Sequence, residues 1–278
     1  MNGRLLFVVT LATISTPAAI ARGQAPAASP VPIRDNSFLV EEAYNQPFGI
    51  VQHIFTFQRI RDVSGWGATF TQEWPAPGER HQLSYTVPLQ RSPTAGGNRT
   101  GVGDVALNYR YQVAMPPGSS VALSPRVSAV VPTGREEWGH GSGGAGVQVN
   151  FPLSIEFTPW LVSHSNVGGS WTPSARNEEG DKAAARGVFV GQSLIWLVHP
   201  KFNVMLESIW NRDESVVGPD RTTGQRGFLV SPGIRAAFDF ASGLQVVPGV
   251  SVPIGVGPSD GERGVFVYLS LEHPFRKQ

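Results

Sequence analysis

From Phe48 onward the chain alternates apolar and polar positions with a period of two. Between Asp104 and Val113 the odd positions are Val105, Leu107, Tyr109, Tyr111 and Val113, and the even ones include Asn108, Arg110 and Gln112. Successive side chains of a strand point to opposite faces, so this segment has one apolar and one polar face. Val147, Val149, Phe151, Leu153, Ile155 and Phe157 repeat the pattern against Gln148, Asn150, Ser154 and Glu156, and residues 82–89, 121–131, 228–240, 244–254 and 263–275 follow it. Ordinary globular strands have about five or six residues, and these runs are much longer. They match the roughly nine to eleven residues that a tilted strand needs to cross a bilayer. Tyr109, Tyr111, Phe151, Phe157, Trp160, Phe202, Trp210, Phe238, Phe240 and Phe275 fall on the apolar face towards strand ends, where interfacial aromatic girdles sit.

The pattern predicts about twelve strands, at 49–60, 65–74, 79–90, 101–114, 120–131, 143–157, 159–171, 184–199, 201–212, 226–240, 243–256 and 263–275. The connections 91–100, 132–142, 172–183 and 213–225 read as long and 257–262 as shorter. Those at 75–78, 115–119, 158, 200 and 241–242 read as short. Even strand number with long external loops and short periplasmic turns is the arrangement of bacterial outer-membrane barrels. The expected fold is therefore all-β: an antiparallel transmembrane β-barrel of about twelve strands over residues 48–278, with both termini periplasmic. Pro88, Pro125, Pro152, Pro232, Pro248 and Pro253 fall inside these strands and count against it, because a barrel has no edge strand to hide a missing N–H.

The amino terminus reads as a secretory signal peptide over residues 1–21. Arg4 precedes a ten-residue apolar run from Leu5 to Ile14, and Ala19-Ile20-Ala21 fits the small-residue cleavage pattern. Removal after Ala21 leaves a formal charge of zero, since the segment holds one of the 22 basic residues and none of the 21 acidic ones. Residues 22–47 read as a Pro/Ala-rich linker followed by a short helix capped by Asp35, Asn36 or Ser37. That element, with Phe38, Glu41, Glu42 and Tyr44, is either a plug folded into the barrel or a periplasmic tether. Cysteine is absent, which excludes a disulfide scaffold and a thiolate metal site. The balanced charge argues against a nucleic-acid partner.

Several short stretches resemble the putative phenol-degradation meta-pathway (MetA-like) family of outer-membrane barrels. They are Glu41-Glu42-Ala43-Tyr44-Asn45-Gln46, Gly49-Ile50-Val51-Gln52-His53, Gly101-Val102-Gly103-Asp104, Val131-Pro132-Thr133-Gly134, Asn166-Val167-Gly168, Ser231-Pro232-Gly233-Ile234-Arg235 and Tyr268 to Phe275. The resemblance implies passage of aromatic compounds, with no catalytic motif and no cofactor.

On the polar face, Asp104, Asn108, Arg110, Arg126, Gln148, Asn150, Glu156, Glu207, Arg235, Asp239 and Glu272 are the candidate lumen residues. They predict either a narrow polar conduit or a sealing salt-bridge network. The expected function is passage or binding of small molecules, and the resemblance alone favours aromatic or other hydrophobic ones. Its partners are outer-membrane lipid and the barrel-assembly machinery, in the outer membrane of a Gram-negative-type bacterium. Two other classes compete: an outer-membrane hydrolase of the phospholipase type, for which His140-Gly141-Ser142 has the spacing, and a soluble exported β-sandwich that binds a ligand. The six histidines lack metal-ligand spacing, and no metal or catalytic residue is assigned.

Overall fold

The computed structural model describes residues 33–34, 37–61, 64–94, 96–114 and 119–275. The leader expected at 1–21 and most of the linker lie outside them. Twelve spans run in chain order: β1 (Ile50–Ile60), β2 (Trp66–Pro75), β3 (His81–Thr94), β4 (Gly97–Val102 and Val105–Tyr111), β5 (Val121–Leu123 and Arg126–Val131), β6 (Gly146–Asn150 and Leu153–Thr158), β7 (Leu161–Arg176), β8 (Lys182–His199), β9 (Phe202–Gly218), β10 (Arg221–Ala236 and Phe238–Asp239), β11 (Gln245–Ser251 and Ile254–Gly255) and β12 (Gly264–Pro274). Each pairs antiparallel with its sequence neighbour, and β12 returns to β1 with Ile50 opposite Pro274 and Ile60 opposite Gly264. The sheet is thus a closed barrel, which excludes the β-sandwich alternative. Closure leaves no edge, so backbone polar groups are satisfied within the wall, as a lipid environment demands. Among the described residues no helix is long and apolar enough to cross a membrane.

The alternation sorts the side chains as expected. Leu107 is 52% exposed on the outside, whereas its neighbour Asn108 is 4% exposed inside. Phe48, Phe157, Trp160, Phe238, Phe240 and Phe275 are exposed at the end of the barrel where β1 begins and β12 ends, forming an aromatic girdle there. The opposite end corrects the expected loops. Residues 91–100, 172–183 and 213–225 are largely strand: β9 and β10 pair up to Gly218 opposite Arg221, and β7 and β8 up to Arg176 opposite Lys182. The strands outrun the apolar belt, and there the alternation disappears while the ladder continues. Only the connection at 132–145 stays long.

The prolines are accommodated one donor at a time. Pro125, Pro152 and Pro253 stand at interruptions between the two pieces of β5, β6 and β11. Their carbonyls still accept from Tyr111 N (3.0 Å), Ser124 N (3.1 Å) and Gly264 N (2.9 Å). Pro88 and Pro232 likewise accept from Gly103 and Val252.

A charge on the outer wall tests this sidedness. Leu107→Arg is expected to destabilise the barrel by about 2–4 kcal/mol if Leu107 lies near the bilayer midplane, and Leu107→Val by far less. Denaturant unfolding in lipid vesicles measures both. Equal stability of the two variants would place Leu107 outside the lipid.

Candidate functional site: the lumen and its internal segment

Residues 33–34 and 37–46 lie inside the barrel, bonded to inward-facing side chains of most of the wall. No helix forms between Ser37 and Gln46, contrary to the expected capped helix. The backbone N–H groups that a helix would satisfy internally are taken by the barrel instead. Glu207 on β9 accepts from the N–H groups of Phe38 (3.1 Å), Leu39 (3.1 Å) and Val40 (3.3 Å). Asn166 on β7 accepts from Glu41 N (2.7 Å) and donates back to its carbonyl (2.6 Å). Ser154 on β6 accepts from Ala43 N, and Gln82 on β3 from Gln46 N.

One carboxylate organises the polar side. Glu41, 1% exposed, meets Arg126 Nε at 2.9 Å and Arg110 Nη1 at 3.3 Å, and accepts from Asn150 Nδ2 at 2.7 Å. Arg110 also donates to Asn45 Oδ1 (2.8 Å), to Gln82 (3.1 Å) and to the Tyr44 carbonyl. Arg126 donates to Gln148 (3.0 Å) and to Asn108 (3.3 Å). The expected lumen residues Asn108, Arg110, Arg126, Gln148 and Asn150 therefore converge on one network with Glu41. The opposite charge comes from the internal segment rather than from wall carboxylates. Arg235 donates to the Ile33 carbonyl (3.0 Å), Glu156 pairs with Arg34 (2.9 Å), and Glu272 receives Gln52 Nε2 (3.2 Å).

Two candidates stand apart. Asp239 is exposed at the rim, paired with Lys201 at 3.0 Å and Gln245 at 2.7 Å. Asp104 holds the long loop: it accepts from Gly134 N (3.0 Å), Ser142 N (2.7 Å) and Ser142 Oγ (2.6 Å). That loop folds onto β3 and β4, where Gly101 leaves room for His140; a Cβ there would stand 2.6 Å from Nδ1. Burial holds the His140 imidazole below its ordinary pKa, with a hydrogen bond to the Arg99 carbonyl opposing that shift. Ser142 and His140 thus engage Asp104 and Arg99 separately, and do not form the relay that their spacing suggested.

The opposite side of the lumen is apolar. Ile54, Val162, Ile195, Met205, Val247, Phe266 and Tyr268 form a buried cluster with Phe38 and Ile33 of the segment. The Phe38 ring lies 5.3 Å from Tyr268 and 5.9 Å from Phe266. Gly233 and Gly249 make its slot, since a Cβ on either would stand 2.9 and 2.3 Å from the ring. The sequence reading missed this wall and did not name Glu73, Gln82, His164 or Asn166 as lumen residues. Glu73 shares its parity with Thr69 and Thr71, opposite Trp66, Phe70 and Trp74, so the same alternation could have found it. The inward Phe189 and Ile195 make β8 apolar on both faces, and its alternation fades. His164 Nε2 donates to the Arg34 carbonyl (2.9 Å) and its Nδ1 lies 2.7 Å from Ser154 Oγ.

No family model matches the chain, and no curated protein is similar in sequence. Solved structures do resemble it. An outer membrane channel from Pseudomonas putida F1 superposes with a TM-score of 0.65 at 13% identity, over 84% of this chain and 98% of that one. The NanC porin superposes with a TM-score of 0.52 at 8% identity, over 81% of this chain and all of the other.

Neutralising Glu41 tests the network. Removing one partner of a buried ion pair costs about 3–5 kcal/mol where the remaining charge has no escape. If the segment is held in the bore by this pair, Glu41→Gln is expected to release it and leave the barrel folded, because the segment contributes no strand. The readouts are faster proteolysis within residues 37–46 and unchanged heat-modifiable gel mobility. Proteolysis at the wild-type rate would show that Glu41 does not hold the segment.

Proposed function

The chain folds as a twelve-stranded barrel of the outer-membrane type, and we propose that it passes small molecules with an apolar part across that membrane. The reading rests on the divided lumen. A purely structural filler would need only to satisfy Arg110 and Arg126. This segment also seats an aromatic side chain, Phe38, in a glycine-walled slot against Phe266 and Tyr268. Displacement of the segment opens a slot shaped for an aromatic or hydrophobic group beside polar wall residues that orient a polar one. The resemblance to the phenol-degradation meta-pathway family favours the same substrate class. In this reading residues 33–46 are a plug whose departure precedes passage, and no hydrolytic step is involved.

Deletion of residues 33–46 tests the plug. The segment contributes no strand, so the ladder should persist, and swelling of proteoliposomes in small solutes should accelerate. Phe38→Ala should give a smaller acceleration, greater for an aromatic solute than for a sugar of equal mass. Equal swelling rates for the full-length and truncated proteins, both verified as folded, would remove the plug reading.

A further inference from the structure

The outer wall carries a second feature, independent of the lumen. Arg212 on β9 and Arg226 on β10 are direct cross-strand partners on the outward face. Arg186 on β8 lies on the same face, two positions along from Val188, the partner of Arg212. All three are exposed. Among the described residues no carboxylate lies within ion-pairing distance of any of them. Glu214 shares the face, but one of its carboxylate oxygens is bound to the Arg186 backbone N–H at 3.2 Å. Like charges placed directly opposite destabilise a sheet, so the arrangement calls for an anion.

Its height on the wall identifies the kind of anion. Immediately towards the end where β1 begins come Trp210 and its partners Phe228 and Val190. Ten residues separate Phe202 from Arg212 along β9. That is about 34 Å of strand and, at a tilt of about 45°, about 24 Å along the membrane normal. An outer-membrane barrel has an apolar band about 25 Å tall, so the arginines stand where the band ends. Beside them lies a lipid-facing groove of about 460 Å³, apolar and walled by Val147, Val149, Trp171 and Val188, with Gly169 supplying no side chain to fill it and Arg186 at its rim.

We propose that this belt binds a phosphorylated glycolipid of the lipopolysaccharide class. Its phosphate lies on Arg186, Arg212 and Arg226, and one acyl chain lies in the groove. Guanidinium groups pair with phosphate oxygens in bidentate fashion, and an acyl chain would cover the apolar depression. The proposal takes the chain termini as periplasmic, which puts the arginines at the outer leaflet where such lipids reside.

The full chain, refolded without lipid into a neutral detergent, can be titrated with purified diphosphorylated lipid A and read by native mass spectrometry. Saturable one-to-one binding is expected. R186Q/R212Q/R226Q should weaken it about a hundredfold, at about tenfold or less per arginine near an anionic lipid surface. V188W, which fills the groove and keeps the charges, should weaken it less. Dephosphorylated lipid A should bind the unaltered protein weakly, and inorganic phosphate should fail to compete at matched concentration. This arm needs no variant to fold. Undiminished binding by the triple-glutamine variant, verified as folded by heat-modifiable mobility, would overturn the proposal. So would equal binding of the dephosphorylated lipid, effective competition by phosphate alone, or equal binding of phosphatidylglycerol, which would indicate unspecific attraction to anionic lipid.

Discussion

Two arginines on the wall of a narrow bore share one carboxylate that does not belong to the wall. Arg110 and Arg126 are each nearly fully buried, and a buried charge without a partner is among the most destabilising features a fold can carry. Glu41 supplies that partner from a segment preceding the first strand. Much else depends on this choice. Once Glu41 is placed, Asn166 and Ser154 fix the backbone on one side of it. Glu207 gathers the N–H groups of Phe38 to Val40 on the other. The barrel closes through its own ladder, but its interior is complete only with the segment inside.

The segment divides the lumen. Its polar residues face the network on β3 to β7, and Phe38 and Ile33 face the apolar cluster built from β1, β7 to β9 and β10 to β12. A bore lined only by mixed charges would favour water and ions. This bore instead sets an apolar wall, with Phe38 seated against it, opposite the polar network. The stretches carrying the family resemblance sit at these joints. Glu41 to Gln46 is the segment itself, Asn166 holds Glu41, and Gly233 makes room for Phe38. Gly101 to Asp104 and Thr133-Gly134 clamp the long loop, Thr133 Oγ1 donating to the Gly103 carbonyl at 2.8 Å and Gly134 N to Asp104 at 3.0 Å.

The fold was legible because strand alternation is a local signal: Leu107 against Asn108 already fixes which side of the wall each faces. The polar half of the lumen was legible for the same reason, and Arg110, Arg126 and Asn150 could be named from parity alone. Their partner was not. Glu41 is separated from Arg110 by 69 residues and from Arg126 by 85, and only the closed register brings them together. The helix expected at the start of the segment failed because capping residues and an apolar run describe a chain that satisfies its own backbone, whereas here wall side chains compete for each N–H. The loops expected at 172–183 and 213–225 failed for a related reason. Beyond the apolar belt the outward face no longer has to be apolar, so alternation stops while backbone pairing continues. The apolar half of the lumen was hidden because its residues are scattered singly among polar inward positions, as Met205 is between Asn203 and Glu207, and because β8 is apolar on both faces.

The central claim is that the segment must leave its place for passage to occur. Ser37 and Ser193 place their hydroxyl oxygens 3.1 Å apart, one on the segment and one on β8, and the chain contains no cysteine of its own. A Ser37→Cys/Ser193→Cys variant can therefore be locked by oxidation and released by reduction in the same proteoliposome preparation. The account predicts slow uptake of a small aromatic solute in the oxidised state and faster uptake after reduction, with the cysteine-free protein indifferent to both treatments. Equal uptake by the locked and released forms would contradict it.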